Sequence, residues 1–159
     1  VTASVDESLT FSLSSQTVPL GTLTTSTTGS GTSTMSAATN ATTGYTITVN
    51  GSTLTSGANT ITALASQAVS TQDSSQFGIN LKSNTTPSVG SNPSGGSGAA
   101  TSNYGTADQF RFVTGDGVAS SSGPSNTTSY TVSYIANING VTKPGSYSTT
   151  LTYIATANF

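Results

Sequence analysis

The stretch VTASVDESLTFSL, residues 1–13, decides the fold class. Its odd positions are Val1, Ala3, Val5, Glu7, Leu9, Phe11 and Leu13; its even positions are Thr2, Ser4, Asp6, Ser8, Thr10 and Ser12. Six of the seven odd residues are apolar and all six even ones are polar. That period of two places one set of side chains on the buried face of a β-strand. At about 3.3 Å per residue such a strand reaches roughly 43 Å, far beyond the usual five or six residues. Lying at the start of the sequence, it predicts either the first strand of its own sheet or a strand that completes a neighbour's.

The same alternation recurs along the chain. Met35 and Ala37 mark a weaker strand over 33–39. Tyr45, Ile47 and Val49 alternate with Thr46 and Thr48. Asn50-Gly51 then reads as a type I′ turn, with 52–55 running back as a hairpin. Phe77, Ile79 and Leu81 form another strand, and Phe110, Phe112 and Val118 a further one broken at Gly115-Asp116-Gly117. Tyr130, Val132, Tyr134, Ala136 and Ile138 predict a strong strand ending at Asn139-Gly140. From Tyr147 to Phe159 the odd positions alternate again. Pro19 and Gly21 interrupt the first connection and leave Val18, Leu20 and Leu23 as a short edge segment. Only 58–76 carries helical spacing, at Ile61, Leu64, Ala65 and Ala68; Thr60 and Thr62 are poor helix formers, so a short strand near Ile61 with one helical turn after it is expected. Residues 83–109, rich in Ser, Gly, Asn and Pro, read as a long loop.

About eight strands between turn clusters predict an all-β chain, a two-sheet antiparallel sandwich of immunoglobulin-like or jelly-roll type. Residues 1–13 are its long N-terminal strand and candidate donor strand; residues 14–159 form the sandwich domain.

Composition agrees. Only 5% of the 159 residues are charged, and 29 Ser plus 33 Thr give 62 small hydroxyl side chains. Such a surface is kept wet by hydroxyls rather than ions, and Thr favours a pleated sheet. The alternating segments argue against the disorder that Ser/Thr/Gly tracts otherwise suggest. Three cations and a net charge of −2 make no basic patch for nucleic acid. No apolar run is long enough to span a membrane. Opening on Val without a charged and apolar leader fits a secreted chain whose signal peptide has been removed, at the cell surface or outside it.

Chemistry is sparse. With no His and no Cys, neither a Ser-His-Asp arrangement nor a thiolate or imidazole metal site is expected, nor any cofactor. Asp6 and Glu7 are adjacent and point to opposite faces of a strand. Asp108 and Asp116 lack the spacing of a calcium loop. The chain therefore reads as no enzyme. Glu7, alone in its stripe, is an exposed strand end, a partner-specific charge, or the acid helper of a Lys–Asn isopeptide bond with Lys82 or Lys143 as the amine. N-x-S/T sequons occur at Asn40, Asn50, Asn84 and Asn126, of which Asn84 and Asn126 are the loop candidates for glycosylation. Tyr130, Tyr134, Tyr147 and Tyr153 are in phase with core positions, which favours packing over sugar stacking.

The ending YTVSYIANINGVTKPGSYSTTLTYIATANF, taken with TASVDESLTFSL, ATTGYTITVNGSTL and QFGINLKSN, resembles secreted Ser/Thr-rich, cysteine-free β-sandwich proteins of candidate-phylum bacteria. In outline it is also similar to matrix-fibre proteins of the TasA and camelysin type and to archaeal thread subunits. The resemblance implies a subunit of an extracellular filament, in which the N-terminal strand of one copy completes the sandwich of the next. Carried over, the donor face is Val1, Ala3, Val5, Leu9, Phe11 and Leu13, and the partner is a second copy of the chain. The alternative expectation is a monomeric surface adhesin or carbohydrate-binding module using loop 83–109 on glycans or a neighbouring cell.

Overall fold

The computed structural model describes residues 1–157 and 159. Among these the chain is all-β, and every named strand pairing is antiparallel. In chain order the strands are β1 (Leu9–Leu13), β2 (Gly29–Thr39), β3 (Tyr45–Gly51), β4 (Thr55–Ser56), β5 (Asn59–Thr60), β6 (Gln76–Asn80) and β7 (Asn84–Thr85). There follow β8 (Ser88–Val89), β9 (Ser94–Gly95), β10 (Ala99–Ala100), β11 (Gly117–Ser121), β12 (Ser125–Asn137) and β13 (Leu151–Ala157). One sheet has the order β1-β2-β12-β6, with β9 added against β12; the other has the order β10-β11-β3-β13. Short ribbons β4-β5 and β7-β8 stand apart.

The two sheets share one core, as a sandwich requires. Met35 and Ala37 of β2 and Tyr130, Val132, Tyr134 and Ala136 of β12 meet Tyr45, Ile47 and Val49 of β3. Alternation in these strands therefore does what the period of two implies: odd residues of β2 and β3 turn inward and their even neighbours, mostly Ser and Thr, face the other way. β6 departs from this, with all five residues buried. Segments on its far side explain it: Phe77 N donates to the Thr62 carbonyl at 2.7 Å and Ile79 N to the Arg111 carbonyl at 3.0 Å.

Tyrosine hydroxyls tie the sheets together. Those of Tyr45 and Tyr130 lie 2.7 Å apart, and those of Tyr134 and Tyr153 lie 2.9 Å apart; each pair joins one sheet to the other. Ser33 Oγ adds a 2.9 Å bond to the Tyr134 hydroxyl. Tyr45 and Tyr130 are almost fully buried, so deleting one hydroxyl strands the other away from water. Tyr130→Phe is expected to cost about 1–3 kcal/mol in urea unfolding, and Tyr45→Phe/Tyr130→Phe less than the sum of the two single changes. Strict additivity would show that the two hydroxyls do not work as a pair.

Several expectations need correction. Only Leu9–Leu13 of the first thirteen residues pairs, with Leu9 opposite Thr39 and Leu13 opposite Met35; residues 1–8 form no strand. Asn50-Gly51 is not a hairpin turn. β3 runs through both residues, and its partners are β11 and β13, with Asn50 opposite Thr152. Gly51 uses its positive φ of 148° at the strand end rather than in a turn. The long-range ladder with β13 outweighs the local turn signal. No helical turn follows Ile61, which is buried against the core with its N–H on the Leu54 carbonyl. Val18–Leu23 is not an edge strand. Loop 83–109 is not structureless either: it contains β7, β8, β9 and β10, and Tyr104 from its middle is fully buried.

Candidate functional site

The long strands run between two poles, and each pole carries an unusual feature. At the Thr39 end of β2 the chain leading into β1 leaves the sheet. Asn40 holds it there: Ser8 N donates to Asn40 Oδ1 at 2.8 Å, and Asn40 Nδ2 donates to the Asp6 carbonyl at 2.8 Å. Thr39 Oγ1 donates to the Ser8 carbonyl at 2.8 Å. Val5 and Glu7 border a shallow recess with Asn40, Thr42 and Phe159. Upstream, Val1–Val5 is exposed throughout and pairs with no strand, Val5 at 88% of its full exposure. Two branched apolar side chains and Ala3 thus stand in water, two residues apart.

At the opposite pole, the Gly29 end of β2, the sandwich is open. A cleft of about 1030 Å³ lies between residues 13–23 on one side and 142–151 on the other, with Leu54, Phe77, Tyr134 and Tyr153 in its wall. Its origin is topological. β1 stops at Leu13 opposite Met35, so Gly29–Ser33 of β2 has no strand on that side. Across the gap, β13 is the edge of its own sheet and pairs only with β3. Its inward residues Leu151, Tyr153, Ala155 and Ala157 are consequently only half-buried. The link between β12 and β13 crosses from one sheet to the other and forms the second wall. It is fixed by Thr142 N on the Asn139 carbonyl at 3.1 Å, Tyr147 Oη on the Lys143 carbonyl at 2.8 Å, and paired bonds between Thr55 and Ser148.

The remaining sequence-predicted residues fall as follows. Leu9 and Phe11 pack half-buried on the core, and Leu13 sits on the cleft rim. Glu7 lies at one pole and Lys143 at the other; Lys82 is half-buried just after β6. The described residues make no ion pair between Glu7 and either lysine, their one salt bridge being Arg111 Nε to Asp116 Oδ2 at 2.9 Å. Glu7 and Lys143 therefore stand at opposite poles. Asn84 proves to be buried rather than in an open loop. Its Nδ2 donates to Asn80 Oδ1 at 2.9 Å and to the carbonyls of Lys82 and Val89 at 2.8 and 2.9 Å, which withdraws it from glycosylation in the folded chain. Asn126, at the start of β12, is exposed.

Asp108 pins the 83–109 segment. Its carboxylate accepts from Thr85 N and Oγ1, both at 2.7 Å, and from Thr86 N at 2.8 Å. These donors, led by the Thr86 amide, hold the carboxyl below its ordinary range. Asp116 accepts from the Tyr104 hydroxyl at 2.9 Å, and burial with that acid beside it pushes the phenol up to about 12. Both acids thus serve the architecture. Among the described residues no three of His, Cys, Asp and Glu gather as a metal site, and no helix is long and apolar enough to cross a membrane.

Sequence reasoning missed the cleft, because it depends on where β1 stops and where β13 pairs. The one local signal was Gly29 and Gly31 inside a strand, since an interior glycine marks a close backbone approach. Among known proteins, no family model, no curated protein and no solved structure matches the chain.

Proposed function

We propose that the protein is a structural subunit of an extracellular filament, joined head to tail by strand addition. The observation that supports this most is the placement of complementary features at opposite poles. One pole carries an unpaired segment with apolar side chains at Val1, Ala3 and Val5. The other carries a cleft of mixed polar and apolar lining, with Val18, Leu20, Leu23, Leu54 and Leu151 among its walls, flanked by unpartnered strand edges. The unpaired residues 1–5 span roughly 16 Å when extended, as does the Gly29–Ser33 stretch of β2, so donor and free edge match in length. An added strand gains ladder hydrogen bonds with the edge and buries its alternate side chains in the cleft. Because donor and acceptor are different surfaces, the contact is heterologous and repeats without closing on itself.

The partner is a second copy, and the setting is the cell surface or its surroundings, where a nearly uncharged, hydroxyl-rich coat suits a matrix component. Negative-stain microscopy of concentrated protein is expected to show unbranched filaments, with light scattering rising as they form. Protein that stays monomeric at every concentration, and instead binds glycans saturably, would overturn the reading in favour of a surface adhesin.

A further inference from the structure

Residues 15–23 occupy an unusual position. Val18, Leu20 and Leu23 are half-buried against the core, yet the segment belongs to no strand. Among the described residues its backbone makes no hydrogen bond to any strand; its only polar contacts are local, such as Ser15 Oγ on the Thr17 carbonyl at 2.7 Å. It is a strap held by apolar side chains alone. Segments with few buried contacts and no backbone ladder open at low cost compared with the whole domain.

What the strap covers is informative. The odd residues of β2 face the core: Ser33, Met35 and Ala37 carry side chains there, but Gly29 and Gly31 carry none. A Cβ at Gly31 would come within 2.6 Å of Val18 Cγ1 and 3.2 Å of the Pro19 carbonyl, and one at Gly29 would strike the Leu23 side chain and, at 2.8 Å, the Leu20 carbonyl. The strap therefore fills inter-sheet space that the glycines vacate, at the stretch of β2 that has β12 on one side and no strand on the other. Val18 and Leu20 also stand two residues apart, the same apolar spacing that Val1, Ala3 and Val5 present at the other pole.

We propose that Ser15–Leu23 is a resident stand-in for the docking strand. It lies at the acceptor end of the cleft in the monomer, and the Val1–Val5 segment of a second copy displaces it on assembly. This inference rests on the strand-addition reading and names the step that regulates it. The strap keeps the open pole from exposing apolar surface, and assembly waits on its release.

The absence of cysteine makes a direct test available. Val18→Cys with Gly31→Cys places two thiols within disulfide reach, since bridged Cβ atoms lie about 3.5–4.5 Å apart. Oxidised, the doubly substituted protein is expected to lose at least about ten-fold in filament yield by light scattering and microscopy, and to recover on reduction, a loss equivalent to about 1.4 kcal/mol or more. Leu20→Ser, which weakens the strap without locking it, is expected to shorten the lag before scattering rises several-fold, and it keeps the proposal open to refutation should the cysteine pair fail to fold. Oxidised protein that polymerises like the parent, or an unchanged lag with Leu20→Ser, overturns the strap while leaving strand addition standing. A parent chain that never polymerises overturns both.

Discussion

Removal of residues 1–5 is expected to leave a folded chain that no longer polymerises. The deleted residues include Val1, Ala3 and Val5 but none of the contacts that seat the segment, because Asn40 grips Asp6 and Ser8. Exposed residues away from such features contribute little, so stability in urea should stay within about 0.5 kcal/mol of the parent. Removal of residues 1–13 is a different experiment. It takes β1 with it, and Leu9 and Phe11 both pack on the core. At roughly 1.5–3 kcal/mol for each large side chain fully buried, two half-buried ones amount to about 1.5–3 kcal/mol. The shorter deletion therefore separates assembly from folding, and the longer one confounds them. Filaments that persist without residues 1–5 would refute the N-terminal segment as the donor.

Alkaline unfolding is the second large effect. Tyr104 is pushed up to about 12, and burial together with a neighbouring tyrosine raises Tyr130 and Tyr153 well above the ordinary value. In the unfolded chain these phenols lose their protons near pH 10. Between pH 10 and 12 the folded state therefore binds more protons than the unfolded one, and stability falls as pH rises. The stabilisation is fully present below pH 10. Above it, each of these tyrosines kept protonated by the fold lowers stability as pH rises, and the three losses fall in the same window. Tyr104 stops contributing past about pH 12. Thermal scans from pH 9 to 12.5 should show Tm collapsing in that window, with tyrosinate absorbance appearing at the same temperature as the loss of sheet signal. A Tm that stays flat to pH 12 would refute the claim. On the acid side the sign reverses: the contribution of Asp108, whose carboxyl is held low, is present above the usual carboxylate range and fades as pH falls through its lowered value.

The fold class was legible because alternation carries burial directly. Met35, Tyr45, Ile47, Val49, Tyr130, Val132 and Tyr134 were all in phase in the sequence and are all core residues. Pairing was not legible. Asn50-Gly51 has the chemistry of a tight turn, yet the ladder to Leu151–Ala157 holds both residues in a strand. Local preference yielded to cross-strand contacts more than ninety positions away. Residues 1–13 show the same limit in another form. Their stripe is uniform, but β2 ends at Thr39, so the stripe loses its partner before Leu9. In the 83–109 segment, Ser and Gly masked short pairings, and the fully buried Tyr104 was not picked out from the loop around it. The apolar stripe could be read from the sequence, whereas the cleft could not. A cleft is made of gaps between elements distant in the chain, and no residue pattern encodes it.

The pole-to-pole course of the strands has a mechanical consequence. Ladder hydrogen bonds in an antiparallel sheet lie perpendicular to the strands. Tension between copies joined at their poles would act along β2 and β13, across those bonds rather than in line with them. Such a load shears a whole ladder at once instead of peeling it bond by bond, so every bond in the joint resists together. A thread built this way yields little under steady pull, and its weakest direction is sideways, where an edge can be lifted from one end.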